Sequence, residues 1–239
     1  MGINYGPPPI VTKGLIFCVD ALDKTSYPGS GTTWTDVINS RPGTINNSPT
    51  WNSSGLGTVG YFDFNGSNQY VTWADHATFE VQAVTISIWL YYDSTATYGS
   101  QATIIGREGG GNSPYKIRMY NNGATANIGL QIFDTTYRAG PTLTPGTTFN
   151  HDEWVCITAS YEYDSSASQK IYVNDSLEGS NTTGGGNIKT DTNFGFEIGR
   201  SNTNAYWGGD VANAKLYNRA LTLSEVQQNF NAQRGRFGV

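Results

Sequence analysis

The chain has 239 residues, a formal net charge of −5 and 14% charged residues, against roughly a quarter in an ordinary soluble domain. Small polar residues take their place, with 29 Gly and 69 Asn, Ser and Thr together, while 13% aromatics supply material for a core. This mixture excludes a disordered chain and a helical bundle; the acidic balance lacks the clustered Lys and Arg of a nucleic-acid binder, and no apolar run approaches the ~18 residues of a membrane span.

Residues 1–13 read as an extended arm, because Pro7-Pro8-Pro9 favours a conformation without sheet hydrogen bonds. Gly14–Asp20 is a short apolar run and a predicted buried strand. Ala21 to Gly60 reads as loop, punctuated by Tyr27-Pro28-Gly29, Arg41-Pro42-Gly43 and Asn46-Asn47. Tyr61–Phe64 and Tyr70–Trp73 are predicted strands around a turn at Asn65–Asn68. Val84–Tyr92 alternates Ile86, Ile88 and Leu90 with Thr85, Ser87 and Trp89, the pattern of a half-buried strand. Further strands are expected at Ala102–Arg107, Tyr115–Tyr120, Ile128–Phe133, Glu153–Tyr161, Lys170–Val173, Gly195–Ile198 and Asp210–Tyr217, the regular spacing of an all-β sandwich. Asp164–Ser168 and Gly179–Asn187 are loops by composition.

One helix is expected near the end, from Leu223 to about Gln233. Thr222 and Glu225 form a capping box, and Leu221 and Val226 occupy the hydrophobic-staple positions. Gly235–Val239 then carries no secondary-structure signal. The division that follows is an arm over 1–13, a sandwich over 14–221, and a helix with a tail over 222–239. Cys18 and Cys156 lie in apolar runs, which favours two buried thiols over a bridge.

The residues offer little for catalysis. His76 and His151 neighbour no nucleophile elbow or catalytic Cys, and their spacing makes no metal site. Glycoside hydrolysis needs two carboxylates in one groove, and the nearest approach, Glu162-Tyr163-Asp164, runs into a Ser-rich loop. The Gly109–Gly111 and Gly184–Gly186 runs lack the Lys-Ser/Thr of a phosphate loop. No catalytic residue is assigned. What remains is a set of aromatic and amide side chains suited to sugar rings and hydroxyls: Trp73, Tyr98, Tyr137, Tyr206 and Trp207, with Asn202 and Asn204 beside the last two.

Several segments resemble the laminin-G-like jelly-roll domains of the concanavalin A-like lectin/glucanase superfamily. They are Phe64–Val71, Val84–Leu90, Trp154–Thr158, Lys170–Asn174, Ile198–Arg200 and, most specifically, Gly209–Thr222. The resemblance implies an all-β fold of two curved antiparallel sheets, with ligands, often glycans, on the concave face or rim loops. It also implies calcium in many relatives. Here amides stand at Asn65, Asn68 and Asn213 where carboxylates are usual, which disfavours the ion. The Glu-x-Asp-x-Glu strand of hydrolytic members is absent, so a non-enzymatic protein without a cofactor is expected.

The ends, Ser26–Asp36 and Asn229–Gly238, resemble flanks of jelly-roll domains in virion proteins of tailed bacteriophages. The expected role is accordingly a virion-surface decoration protein displaying a lectin-like domain, assembled in the host cytoplasm because no signal peptide opens the chain. A free or secreted carbohydrate-binding module is the alternative, with a glycan hydrolase as a remote third. Attachment to neighbouring subunits is expected through Ile3, Tyr5, Ile10 and Val11 in the arm and Arg234, Arg236 and Phe237 in the tail, rather than packing on the domain itself.

Overall fold

The computed structural model describes residues 7–53, 59–109, 112–121, 126–134, 137–163, 168–182, 186–190, 193–201 and 204–239. In chain order the strands are β1 Leu15–Asp20, β2 Thr33–Asp36, β3 Arg41–Asn46, β4 Thr50–Ser53, β5 Gly60–Asn65, β6 Tyr70–Trp73, β7 Ala83–Tyr91, β8 Thr103–Arg107, β9 Tyr115–Asn121, β10 Ala126–Phe133, β11 Tyr137–Leu143, β12 Trp154–Glu162, β13 Ser168–Val173, β14 Ser176–Asn181, β15 Phe196–Ile198 and β16 Gly208–Tyr217. Helix α1, Leu223–Phe237, closes the chain.

The strands form two antiparallel sheets of eight. Sheet I runs β14-β13-β12-β7-β16-β5-β4, and the ten-residue β16 is long enough to hold β5 along its first half and β1 along its second. Sheet II runs β11-β10-β9-β8-β15-β6-β3-β2. Alternate side chains of both sheets point inward and make one core, in which Phe17, Trp34, Phe62, Trp73, Phe196 and Trp207 are fully or almost fully buried.

Three strands, β2, β3 and β4, run through the stretch Ala21–Gly60 expected as loop. Arg41-Pro42-Gly43 is not a turn but the start of β3, between β2 and β6. Its glycine serves packing: a Cβ there would overlap the Trp73 indole. Gly140 in β11 likewise leaves room for the Gln169 side chain of the other sheet. β14 is an exposed edge strand whose end enters the expected loop Gly179–Asn187; its one large apolar residue, Leu177, is exposed and no alternation announces it.

The expected half-buried strand at β7 is buried on both faces, because α1 lies over the outer face of sheet I. Thr222 and Glu225 close the capping box, and Leu221 and Val226 share one apolar cluster. The helix runs to Phe237, four residues beyond the expected end, through Gly235, and stops where Gly238 adopts φ +75° and donates to the Arg234 carbonyl. The Phe237 ring stacks on Trp89 at 3.9 Å between centroids, with Phe230 stacked at 5.7 Å.

These contacts correct the expected attachment surface. Phe237 is buried on its own sheet, and Arg236 forms a two-pronged ion pair with Asp20 of β1. Val11 is buried as well: its N–H donates to Asn229 of α1 at 2.8 Å, and its carbonyl accepts from the Tyr217 hydroxyl at 3.0 Å. Buried polar groups seek the nearest partner, and the domain itself supplies it. Ile10 is half-buried, Arg234 is exposed, and Ile3 and Tyr5 lie outside the described residues.

Cys18 and Cys156 are both buried free thiols, and burial raises both thiol pKa values, Cys18 to about 11. The order β1-β16-β7-β12 separates them by three strand intervals, about 14 Å at ~4.8 Å each. A disulfide spans at most ~7 Å between Cα atoms, so the bridge is excluded.

Candidate functional site

The helix covers one outer face of the sandwich; the outer face of sheet II carries polar side chains instead. Its rows follow from register. Thr44 stands opposite Thr72, Thr72 opposite Glu197, Glu197 opposite Gly106, Gly106 opposite Lys116, and Lys116 opposite Gln131. Because direct partners share a face, this is one line across six strands. Inward neighbours on either side, such as Val71, Ile117 and Leu130, are fully buried in the core.

The charges on this line are paired. Lys116 Nζ donates to both Glu108 oxygens at 2.9 and 3.2 Å and to Ser113 Oγ at 3.3 Å. Glu197 takes two hydrogen bonds from Arg200, at 2.6 and 3.0 Å. Burial pushes the Lys116 ammonium down, against the pull of Glu108. It also pushes the Glu197 carboxyl up, against Arg200. Gln131 is 2% exposed, with Oε1 lacking any hydrogen-bond donor, and exposed Ala139 of β11 stands opposite it at the sheet edge.

At one corner the line meets a group of rings. The Arg200 guanidinium lies 3.8 Å over the Tyr70 ring, and Tyr206 stands 6.2 Å from Tyr70. Tyr206 is held by an isolated bridge to Arg200 and by its carbonyl accepting from Gly99 N–H at 2.8 Å. Asn204 is exposed beside it, in a left-handed conformation with φ +57°. Two more cations sit over half-buried rings on the same face, Arg118 over Tyr120 at 4.2 Å and Lys189 over Phe133 at 5.3 Å.

The structure sorts the expected sugar-binding residues. Tyr206 and Asn204 come to this corner; Tyr98 does not, being half-buried against the core with its hydroxyl accepting from that of Tyr92 at 2.6 Å. Trp73 and Trp207 do not serve: both are fully buried, because their positions face the core. Asn202 and the Tyr137 side chain lie outside the described residues. At the positions where calcium was disfavoured, the amide oxygens have partners within the chain. Asn65 Oδ1 accepts from Ser67 and Asn68 N–H, Asn68 Oδ1 accepts from Asn65 Nδ2, and Asn213, 1% exposed, accepts from Lys215. Their oxygens hold turns and the helix-covered face.

Sequence reading missed the polar line. Lys116, Arg118 and Tyr120 alternate with core residues, which marks them as one outward face. Nothing in a single sequence says that β9 lies two strands from β15. Glu162, the carboxylate nearest to a paired motif in sequence, stands opposite Ala83 and Ser168, neither of them an acid. The face does bring Glu108 and Glu197 together from distant segments, yet each is closed by a cation.

A family model described as the concanavalin A-like lectin/glucanases superfamily, of laminin-G type, matches residues 65–227. No curated protein matches the chain. Among solved structures, domain 4 of an extracellular arabinanase from Geobacillus stearothermophilus, in complex with arabinotriose, is similar at 18% identity and a TM-score of 0.64, over 90% of this chain and 97% of that one. The binding domain of botulinum neurotoxin serotype D is similar at 14% identity and 0.67, over 92% of this chain. The Trypanosoma rangeli sialidase is similar at 18% and 0.63, over 96% of this chain. The chain spans 52% of that toxin domain and 36% of the sialidase.

Proposed function

The chain belongs to the concanavalin A-like lectin/glucanases superfamily, and from that premise we propose that it is a non-enzymatic carbohydrate-binding protein that holds glycan on the outer face of sheet II. The observation that carries this reading is the corner of Tyr70, Arg200 and Tyr206 with exposed Asn204, continuous with a polar line across the sheet. Half-exposed rings offer a face to the C–H surface of a sugar, and the amide offers a donor and an acceptor to its hydroxyls. Glycosidic bond cleavage needs one free carboxylate and one protonated acid. Glu108 and Glu197 are each engaged by a cation, which supports binding without turnover.

Tyr206→Ala should weaken binding to immobilised oligosaccharides by about tenfold, the worth of one stacked ring, with no release of shorter sugars by the parent protein. Unchanged affinity would remove the corner from the site. Cleavage products lost in Glu197→Gln would make the protein a hydrolase instead.

Display on a virion surface is the setting we propose, with the extracellular module as the alternative. The resemblance of the chain ends to phage virion proteins supports it. Pro7, Pro8 and Pro9 are exposed ahead of the anchored Val11, with the Pro9 carbonyl accepting from Gln228 at 2.8 Å, which supports a connector in the residues ahead of Pro9. A chain lacking residues 1–9 should fold normally and fail to join the assembly; normal incorporation would count against the connector.

A further inference from the structure

We propose that the end of sheet I's outer face left bare by α1 docks a lysine- or arginine-bearing segment of a partner protein. This surface is separate from the glycan corner and does not depend on it. Helix α1 stops at Phe237, whose ring meets Trp154 at 5.3 Å. Beyond that point register sets one outward row across five strands. Trp154 stands opposite Tyr91, Tyr91 opposite Asp210, Asp210 opposite Asp63, and Asp63 opposite Thr50. Four intervals of ~4.8 Å make the row about 19 Å long. Trp154, Tyr91 and Asp210 are half-buried, while Asp63 and Thr50 are exposed, so a partner can reach all of it. Tyr61, on the same face of β5, and Tyr91 stand at T-shaped angles to Trp154, at 5.5 and 5.7 Å.

Charge decides what covers this row. Asp93 lines a cleft of about 270 Å³ with Asp63, and Glu153 lines another of about 230 Å³ with Trp154. Asp152 adjoins Glu153 at the start of β12. Among the described residues none of Asp63, Asp93, Asp152, Glu153 and Asp210 pairs with a cation, whereas Asp20, Glu108, Glu197 and Glu225 each have one. Like charges set directly opposite one another cost stability. A cation laid between Asp63 and Asp210 turns that repulsion into attraction, and the flanking rings add cation–π attraction for the same charge. Burial, with the Asp63 and Asp93 charges, raises the Asp210 carboxyl to about 7, which agrees with an acid lacking its counter-ion. A bare metal ion does not fit, because no three His, Cys, Asp or Glu side chains among the described residues are grouped to hold one.

The test measures binding of a heptapeptide alternating arginine and serine, and of its glutamate-for-arginine counterpart, at pH 8 and 150 mM salt. Screening there confines attraction to about 8 Å. The parent chain should bind the arginine peptide alone. Asp63→Asn with Asp210→Asn should weaken that binding at least tenfold, with the thermal midpoint unchanged or raised, and Tyr91→Leu should weaken it about threefold. Glu162→Gln with Glu178→Gln removes two exposed charges elsewhere and should leave affinity within twofold. No binding by the parent, or equal loss in the two double variants, overturns the proposal. Spermine bound as tightly as the peptide would make the occupant a small polyamine. A parent dimer that dissociates in Asp63→Asn with Asp210→Asn would make it a second copy. Either result overturns the partner segment.

Discussion

The two outer faces of the sandwich are built from the same kind of alternating strand and meet opposite fates. On sheet I the outward side chains of β7, β12 and β16 include Trp89, Cys156 and Tyr217, and the chain spends its last fifteen-residue helix and its arm covering them. On sheet II the outward residues are Thr72, Glu197, Lys116, Arg118 and Tyr120, and no helix covers them. Apolar outward residues demand a lid, since bare they would expose a sticky patch. Polar ones pair among themselves: Lys116 and Glu197 are buried in their ion pairs, and what this face offers a ligand is the corner of half-buried Tyr70 and Tyr206 with exposed Asn204. One face is therefore stability and the other is the candidate for glycan recognition.

The largest effect that would break this comparison concerns Trp89. It is fully buried between Phe230 and Phe237. Trp89→Ala removes the centre of the helix–sheet contact, and a core Trp→Ala change costs about 3–5 kcal/mol. For a chain of this size that lowers the thermal midpoint by roughly 10 °C. Thr44→Ala, exposed on the face of sheet II, should stay within about 0.5 kcal/mol. Calorimetry of both variants checks the contrast. Similar losses would mean that sheet II's face is also structural.

A smaller effect sharpens the account of charge. On sheet II every carboxylate in the line has a cation. At the rim of sheet I, Asp210 stands directly opposite Asp63, beside a cleft of about 270 Å³ that Asp93 also lines. Burial, then the Asp63 and Asp93 charges, push the Asp210 carboxyl up to about 7. The unfolded chain loses this proton near pH 4, while the folded chain keeps it until about 7. Asp210 thus costs stability progressively as pH rises through that window, with the full cost above it. Asp210→Asn should gain about 1 kcal/mol at pH 8, discounted for partial exposure, and nothing at pH 4. Midpoints of the two proteins across pH 4–8 test this, and parallel curves would refute the pairing.

How much of this was legible beforehand depends on whether the signal is local or set by topology. The central strands of both sheets, the capping box and the staple could be read because apolar periodicity and cap residues are local signals, whereas the edge strands β2, β4, β11 and β14 could not. The reach of the helix to Phe237 could not, since Gly235 looks like an end and only Trp89, far off in sequence, rewards continuing. The same holds for Trp73 and Trp207, whose inward direction depends on strand register. It holds for Pro42-Gly43, which looks like a turn and is a packing site. The polar line of sheet II is assembled from six strands scattered between residues 41 and 198. Its members could be found one by one by alternation, but their adjacency is a product of topology.

The smallest expected effect concerns calcium, and it bears on whether the acidic rim of sheet I is a second recognition site. Calcium takes six to eight oxygens, with carboxylates the strongest contributors. Near this rim the amide oxygens are committed: Asn65 Oδ1 to two N–H groups of its own turn, Asn68 Oδ1 to Asn65, and Gln69 Oε1 to the Asn65 N–H. Among the described residues no three His, Cys, Asp or Glu side chains are grouped to hold a metal ion. A site with a dissociation constant near 0.1 mM would add about 2.3 kcal/mol at 5 mM ion by mass action, or roughly 5–9 °C in midpoint. The expected shift is under about 1 °C, both on adding 5 mM calcium and on adding chelator. A rise above about 3 °C would sink this expectation. If Asp210→Asn then abolished the rise, the ion would be placed at the rim, and the uncovered end of sheet I would join sheet II as a surface kept open for binding.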